Sequence, residues 1–83
     1  MELIAQEAIK EANRAIEKYK RPYASCHEFY GVFLEEVEEL WTEIKKNDQS
    51  RDFDKMRKEA VQCAAVLLRF ITQIDDSWDK PMQ

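Results

Sequence analysis

Helical periodicity runs through this chain with only two interruptions, at residues 20–24 and 47–50. The whole sequence holds one Gly and two Pro among 83 residues. Tight β-turns draw on those residue types, so a fold with many strand reversals lacks its turn chemistry. The spacing predicts three helices, over residues 2–20, 26–46 and 51–74, with a tail at 75–83 that carries Trp78 and Pro81. Ile4, Ala5, Ala8, Ile9, Ala12, Ala15, Ile16 and Tyr19 form one apolar stripe on the first. Phe29, Tyr30, Phe33, Leu34, Val37, Leu40, Trp41 and Ile44 do so on the second. Phe53, Met56, Ala60, Cys63, Ala64, Leu67, Phe70, Ile71 and Ile74 do so on the third. Pro22 disfavours helix at Arg21. Ser25 and Glu28 then have the spacing of a capping box, with Ser25 accepting from Glu28 and Glu28 reaching back to Ser25. The fold expected is a single all-α domain, a three-helix chain forming an oligomeric helical bundle.

The charge balance narrows the function. Thirteen basic residues against seventeen acidic ones give a formal net charge of −4, which is no footprint for nucleic acid. The longest apolar run, 63–68, is far too short to span a bilayer, so no membrane partner is expected. Cys26 and Cys63 are too few for a disulfide scaffold and form no CxxC pair. They read as free thiols, with Cys63 a small buried hydrophobe. The N-terminus is amphipathic with no signal-peptide pattern, and the expected location is cytoplasmic. His27 is the only histidine and has no second soft ligand spaced to share a transition metal.

The second helix contains Leu34-Glu35-Glu36-Val37-Glu38-Glu39-Leu40-Trp41, four carboxylates in five positions. At about 100° per residue, Glu36 falls at the edge of the apolar arc, and Glu39 about 60° further round, with Glu43 between them. Glu35 and Glu38 fall on the far side. Like charges three and four apart cost a few tenths of a kcal/mol per pair. Such pairs beside a buried face point to a missing hard cation, for which carboxylate oxygens are the natural ligands. Glu59 and Gln62 occupy the same kind of edge position on the third helix. A short connection makes these two helices antiparallel, which sets Glu36, Glu39, Glu59 and Gln62 at similar heights.

These residues carry a resemblance. Glu35-Glu36-Val37-Glu38-Glu39 resembles the EExxE motif of the MazG-like, all-α nucleoside triphosphate pyrophosphohydrolases. Glu59-Ala60-Val61-Gln62 resembles their ExxD element on the next helix, with Gln62 where the family has Asp. The stretches 27–41 and 57–71 are similar to small phage-encoded members. The resemblance implies hydrolysis of a nucleoside triphosphate to the monophosphate and pyrophosphate. It implies Mg2+, with Mn2+ as a substitute, held by Glu36, Glu39, Glu59 and Gln62, and Glu35 completing the catalytic motif. A triphosphate beside carboxylates also calls for basic groups, and Arg57, Lys58, Lys55 and Arg69 are the candidates. Trp41 or Tyr30 is placed to stack on a base, although core packing is the commoner role of an aromatic on an apolar face. An amide oxygen binds a metal without charge and cannot act as a base. Gln62 therefore opens an alternative, a catalytically weak or inactive member of the same fold that binds a nucleotide or a protein. A third reading is a plain interaction domain whose glutamates are a solvated face. Three broad apolar faces exceed what a chain of this size hides alone, so a homodimer or homotetramer is expected, with the second and third helices forming a four-helix core with a twin.

Overall fold

A computed structural model describes residues 1–78; Pro81 lies outside them. Among the described residues there are three α-helices and no strand. Helix α1 is Glu2–Tyr19, α2 is Cys26–Ile44 and α3 is Phe53–Gln73, followed by a wider π-type turn at Ile74–Trp78. The ends differ from the sequence expectation by one or two residues, each for a local reason. Lys20 turns left-handed at φ 53° and donates its N–H to the Ile16 carbonyl, which closes α1 before Arg21 and Pro22. Helix α2 stops at Ile44, and the Arg51 guanidinium donates to the carbonyls of Ile44 and Lys46 at 2.9 and 2.8 Å. With Arg51 so used, α3 begins two residues late, at Phe53, where the Asp52 carboxylate accepts from the Lys55 N–H. Ser25 caps α2 as expected. Glu28, however, accepts from the Ala24 N–H and the Arg21 guanidinium rather than from Ser25.

Helix α3 is the middle of the molecule. Helix α2 packs on it antiparallel, with Phe29 stacked on Phe70 at one end and Glu39 beside Glu59 towards the other. Helix α1 packs on its other side and runs parallel to it. Glu7 meets Arg57, Glu11 meets Gln62 and Tyr19 meets Arg69, in ascending order on both helices. No Cα of α1 comes within 8 Å of one on α2. Buried Ala8 and Ala12 on α1 and Ala65 on α3 remove side-chain bulk from the first interface and let the backbones approach. The second interface is aromatic. The Phe29 ring lies parallel to Phe70 with centroids 3.6 Å apart, stacks with Phe33 at 5.7 Å and takes Tyr23 edge-on at 5.5 Å. Gln73 latches the α1–α2 loop, because its side-chain amide accepts from the Tyr23 N–H and donates to the Tyr23 carbonyl. Trp78 folds back edge-on to Phe70.

Three rods joined only through the middle one make a layer with two faces. On one face α1 and α2 flank α3 as the walls of a cleft. The other face carries Tyr30, Leu34 and Trp41 of α2, Leu67 and Ile71 of α3, and Ile9 and Ile16 of α1, all exposed. The arc on α2 is therefore only half a core stripe. Phe29 is buried and Phe33, Val37 and Leu40 are half-buried, whereas Trp41 is 55% exposed. Cys63 is half-buried rather than buried, and both thiols are free. The accessible surface is 6656 Å2, against about 5,200 Å2 for a compact monomer of 9.9 kDa. No helix among the described residues is long and apolar enough to cross a membrane.

Candidate metal centre

The polar edge of the α2–α3 interface holds the acidic residues. Glu36 and Glu39 sit one turn apart on α2, and the antiparallel run of α3 brings Glu59 against them. One carboxylate oxygen from each lies within 4.8 Å of the others. Glu36 and Glu59 are half-buried and Glu39 is exposed. Oε2 of Glu36 is buried and accepts no hydrogen bond. An orphaned acceptor costs the full loss of its hydration, about 1–3 kcal/mol.

The titration of the cluster reflects that crowding. Burial, followed by the charges of Glu39 and Glu59, pushes the Glu36 carboxyl above its usual range. Burial first, and Glu39 next, raise Glu59, with Lys58 opposing. The field reaches Cys63, one turn on from Glu59, whose thiol is raised by burial and then by Glu36, Glu59 and Glu39. Glu43 makes the contrast. It is only 3% exposed, yet Lys46 at 2.8 Å and Lys55 at 3.6 Å accompany it. Its carboxyl is lowered, chiefly by the Lys46 hydrogen bond. Burial of a carboxylate on α2 is thus compensated at Glu43 by lysines and left uncompensated at Glu36.

The other sequence candidates are distributed as follows. Gln62 does not converge with the carboxylates. Its amide turns to α1 and donates to Glu11 Oε1 at 2.9 Å. Arg14 also donates to Glu11, and the Arg14 and Gln62 hydrogen bonds bring the Glu11 carboxyl down to about 2. Arg57 makes a two-pronged pair with Glu7 on α1, at 2.9 and 2.6 Å. Lys55 is engaged by Glu43. Lys58 is exposed beside Glu59. Trp41 lies on the apolar face, away from the carboxylates. Glu35 is exposed on the cleft wall next to Glu36. Arg69 lies with its guanidinium 4.3 Å above the Tyr23 ring centroid.

The cleft itself, about 460 Å3, was not foreseen. Helix α1 contributes Glu11, Arg14, Lys18 and Tyr19 to it, and the α1–α2 loop contributes Arg21 and Tyr23. Glu11, Arg14 and Lys18 recur at helical spacing, which is the only trace of this wall in the sequence. Their placement follows from the parallel docking of α1, which no local pattern encodes. In comparison with known proteins, no family, no curated protein and no solved structure matches this chain.

The donor set fits a hard divalent cation. All three ligand atoms are carboxylate oxygens, the type that Mg2+ and Mn2+ take, and the orphaned Glu36 oxygen has a lone pair free for one. The soft and imidazole ligands of a zinc site are missing: the Cys63 thiol is held protonated, and His27 is outside the cluster.

Proposed function

We propose that this chain is a Mg2+-dependent nucleoside triphosphate pyrophosphohydrolase of the MazG-like kind, converting a nucleoside triphosphate and water to the monophosphate and pyrophosphate. The observation that carries the reading is the convergence of Glu36, Glu39 and Glu59 within 4.8 Å with one buried oxygen unpartnered. Glu36, Glu39 and Glu59 hold the cation. When bound, Mg2+ (or Mn2+) supplies charge neutralisation for the phosphates and lowers the pKa of water. Glu35, exposed on the cleft wall beside the cluster, is the carboxylate left to accept the proton of an attacking water. The cleft runs from Glu35 and Glu36 towards Arg69, which gives the substrate one direction in which to lie.

The oligomeric part of the reading rests on area. The chain exposes roughly 1,400 Å2 more than a compact monomer of its mass, and a standard interface takes about 800 Å2 from each partner. The apolar face of Tyr30, Leu34, Trp41, Leu67 and Ile71 is the surface a twin chain would cover, as a homodimer or homotetramer with a four-helix core. The cleft lies on the opposite face and stays open. A cytoplasmic location accords with the two free thiols.

A second reading is favoured by Gln62. Its amide is committed to Glu11, so the fourth ligand of the resemblance is missing from the cluster. The chain would then be a catalytically weak or inactive relative that binds a nucleotide or a protein. One assay separates the two. Phosphate release is followed with coupled pyrophosphatase, across the four deoxynucleoside triphosphates and UTP. The first reading expects release that requires Mg2+ and is abolished by Glu59→Gln. A Mg2+-dependent rise in melting temperature without release would select the second.

A further inference from the structure

The cleft carries features that the carboxylate cluster does not use. Tyr23 is only 3% exposed and lines the cleft, and its buried hydroxyl makes no well-formed hydrogen bond, with the Arg69 guanidinium the one polar donor acting on it. Four cations also line it, but two are spent. Arg14 pairs with Glu11 and Arg21 pairs with Glu28. Lys18 and Arg69 form no ion pair with a carboxylate among the described residues. Arg69 is held rigidly nonetheless. It donates to the Arg21 carbonyl at 2.7 Å, and its central carbon lies over the Tyr23 ring. A guanidinium held by a carbonyl and a ring face keeps N–H groups that pair with no carboxylate, which suits it to phosphate oxygens.

We propose that Lys18, Arg69 and the Tyr23 hydroxyl form an anion subsite at the end of the cleft away from the carboxylates, built for the phosphate chain of a nucleotide. The subsite and Glu36, the one cluster carboxylate that lines the cleft, share one groove. From Gln62, which lines the cleft with Glu36, to Arg69 is seven residues, about 10 Å of helix. An extended triphosphate bridges that distance. The cleft is also large enough, since small-molecule sites run from about 300 to 1,000 Å3. With the Glu36 end binding the cation, the Arg69 end receives the outer phosphates that leave as pyrophosphate. The assignment of the anion to a nucleotide rests on the proposed function; the subsite itself does not.

The test is calorimetry of inorganic pyrophosphate with the full chain in EDTA, so that metal plays no part. Wild type binds. Lys18→Gln and Arg69→Gln each weaken binding about tenfold or more, the loss expected for hydrogen bonds to a charged group. Tyr23→Phe also weakens it, while leaving the metal-free melting temperature equal or higher, because a buried hydroxyl without a well-formed hydrogen bond has been removed. A purely structural Tyr23 would not separate those two readouts. Lys18 is exposed, so its variant keeps the fold and carries the test if Arg69→Gln unfolds. Pyrophosphate that fails to bind, or that binds all three variants as tightly as wild type, overturns the subsite. Glu59→Gln separates this from the function above, because it retains pyrophosphate binding in EDTA and loses hydrolysis. Binding that requires Lys18, Arg69 and Tyr23, in a chain with no hydrolysis, leaves the subsite standing and removes the pyrophosphohydrolase.

Discussion

Replacing Glu36 by Gln should make the metal-free protein more stable and the magnesium-loaded protein less so. In the native cluster Oε2 of Glu36 is buried without a partner, and Glu39 and Glu59 face it with like charge. The Gln amide removes one charge and supplies a donor to those carboxylates. Leaving an acceptor orphaned costs about 1–3 kcal/mol, and because Glu36 is only half-buried the lower end applies, about 1 kcal/mol. For a domain of this size that is about 4–8 °C in melting temperature. With Mg2+ at a hundred times its dissociation constant, wild type gains about 2.7 kcal/mol and the variant little, so the order of stabilities reverses. Thermal melts followed by circular dichroism in EDTA and in Mg2+ read both limbs. The pH dependence gives an independent check. Glu36 and Glu59 have raised folded pKa values, so their stabilising contribution is complete below the ordinary carboxylate range. It is lost as pH rises through the raised values. Glu7, Glu11, Glu28 and Glu43 are held below the usual range and act in the opposite sense, losing stability as pH falls. The cluster is therefore read from a difference: the margin by which metal-free Glu36→Gln outmelts wild type should be wider at neutral pH than just below the carboxylate range. A variant that melts below wild type in EDTA would refute the reasoning, because the three carboxylates would then not be in mutual repulsion.

Two further outcomes follow from the same packing. Gln62→Asp faces Glu11 with a second carboxylate and removes its hydrogen bond, so the metal-free protein should lose about 1–3 kcal/mol in denaturant melts. Glu11→Gln in the same chain should recover most of that loss; strict additivity would mean the two side chains do not interact. Phe29→Ala deletes the ring that joins Phe70, Phe33 and Tyr23, at a cost of about 3–5 kcal/mol, which rivals the whole stability of a small domain. Its far-ultraviolet circular dichroism should show marked loss of helix at 25 °C, and a native melt would place the core elsewhere.

Local chemistry made much of this legible. Helix number, the cap at Ser25, and the antiparallel α2–α3 pair follow from spacing, turn residues and a short connection, whereas the cap at Asp52 was passed over for a start at Arg51. The convergence of Glu36, Glu39 and Glu59 follows too, since both helices count residues from the same loop. Gln62 was misplaced because a residue three on from Glu59 lies at a different angle on the wheel. That angle faces α1, whose position a two-helix argument leaves out. Arg57 was drawn into an ion pair with Glu7, fifty residues away, for the same cause.

What the order of residues settles here is periodic and short-range: where helices start, which stripe on each is apolar, and which carboxylates share a flank. Hydrogen bonding within four residues and the geometry of a single turn account for all of it. What folding adds is the parallel seating of α1 on α3, and with it the cleft, the burial of the Tyr23 hydroxyl and the commitment of Gln62 to Glu11. Small alanines at 8, 12 and 65 permit that seating, but any apolar stripe would satisfy the pattern. The choice of which stripes meet is made by the summed fit of surfaces far apart in sequence, which no window of the chain contains.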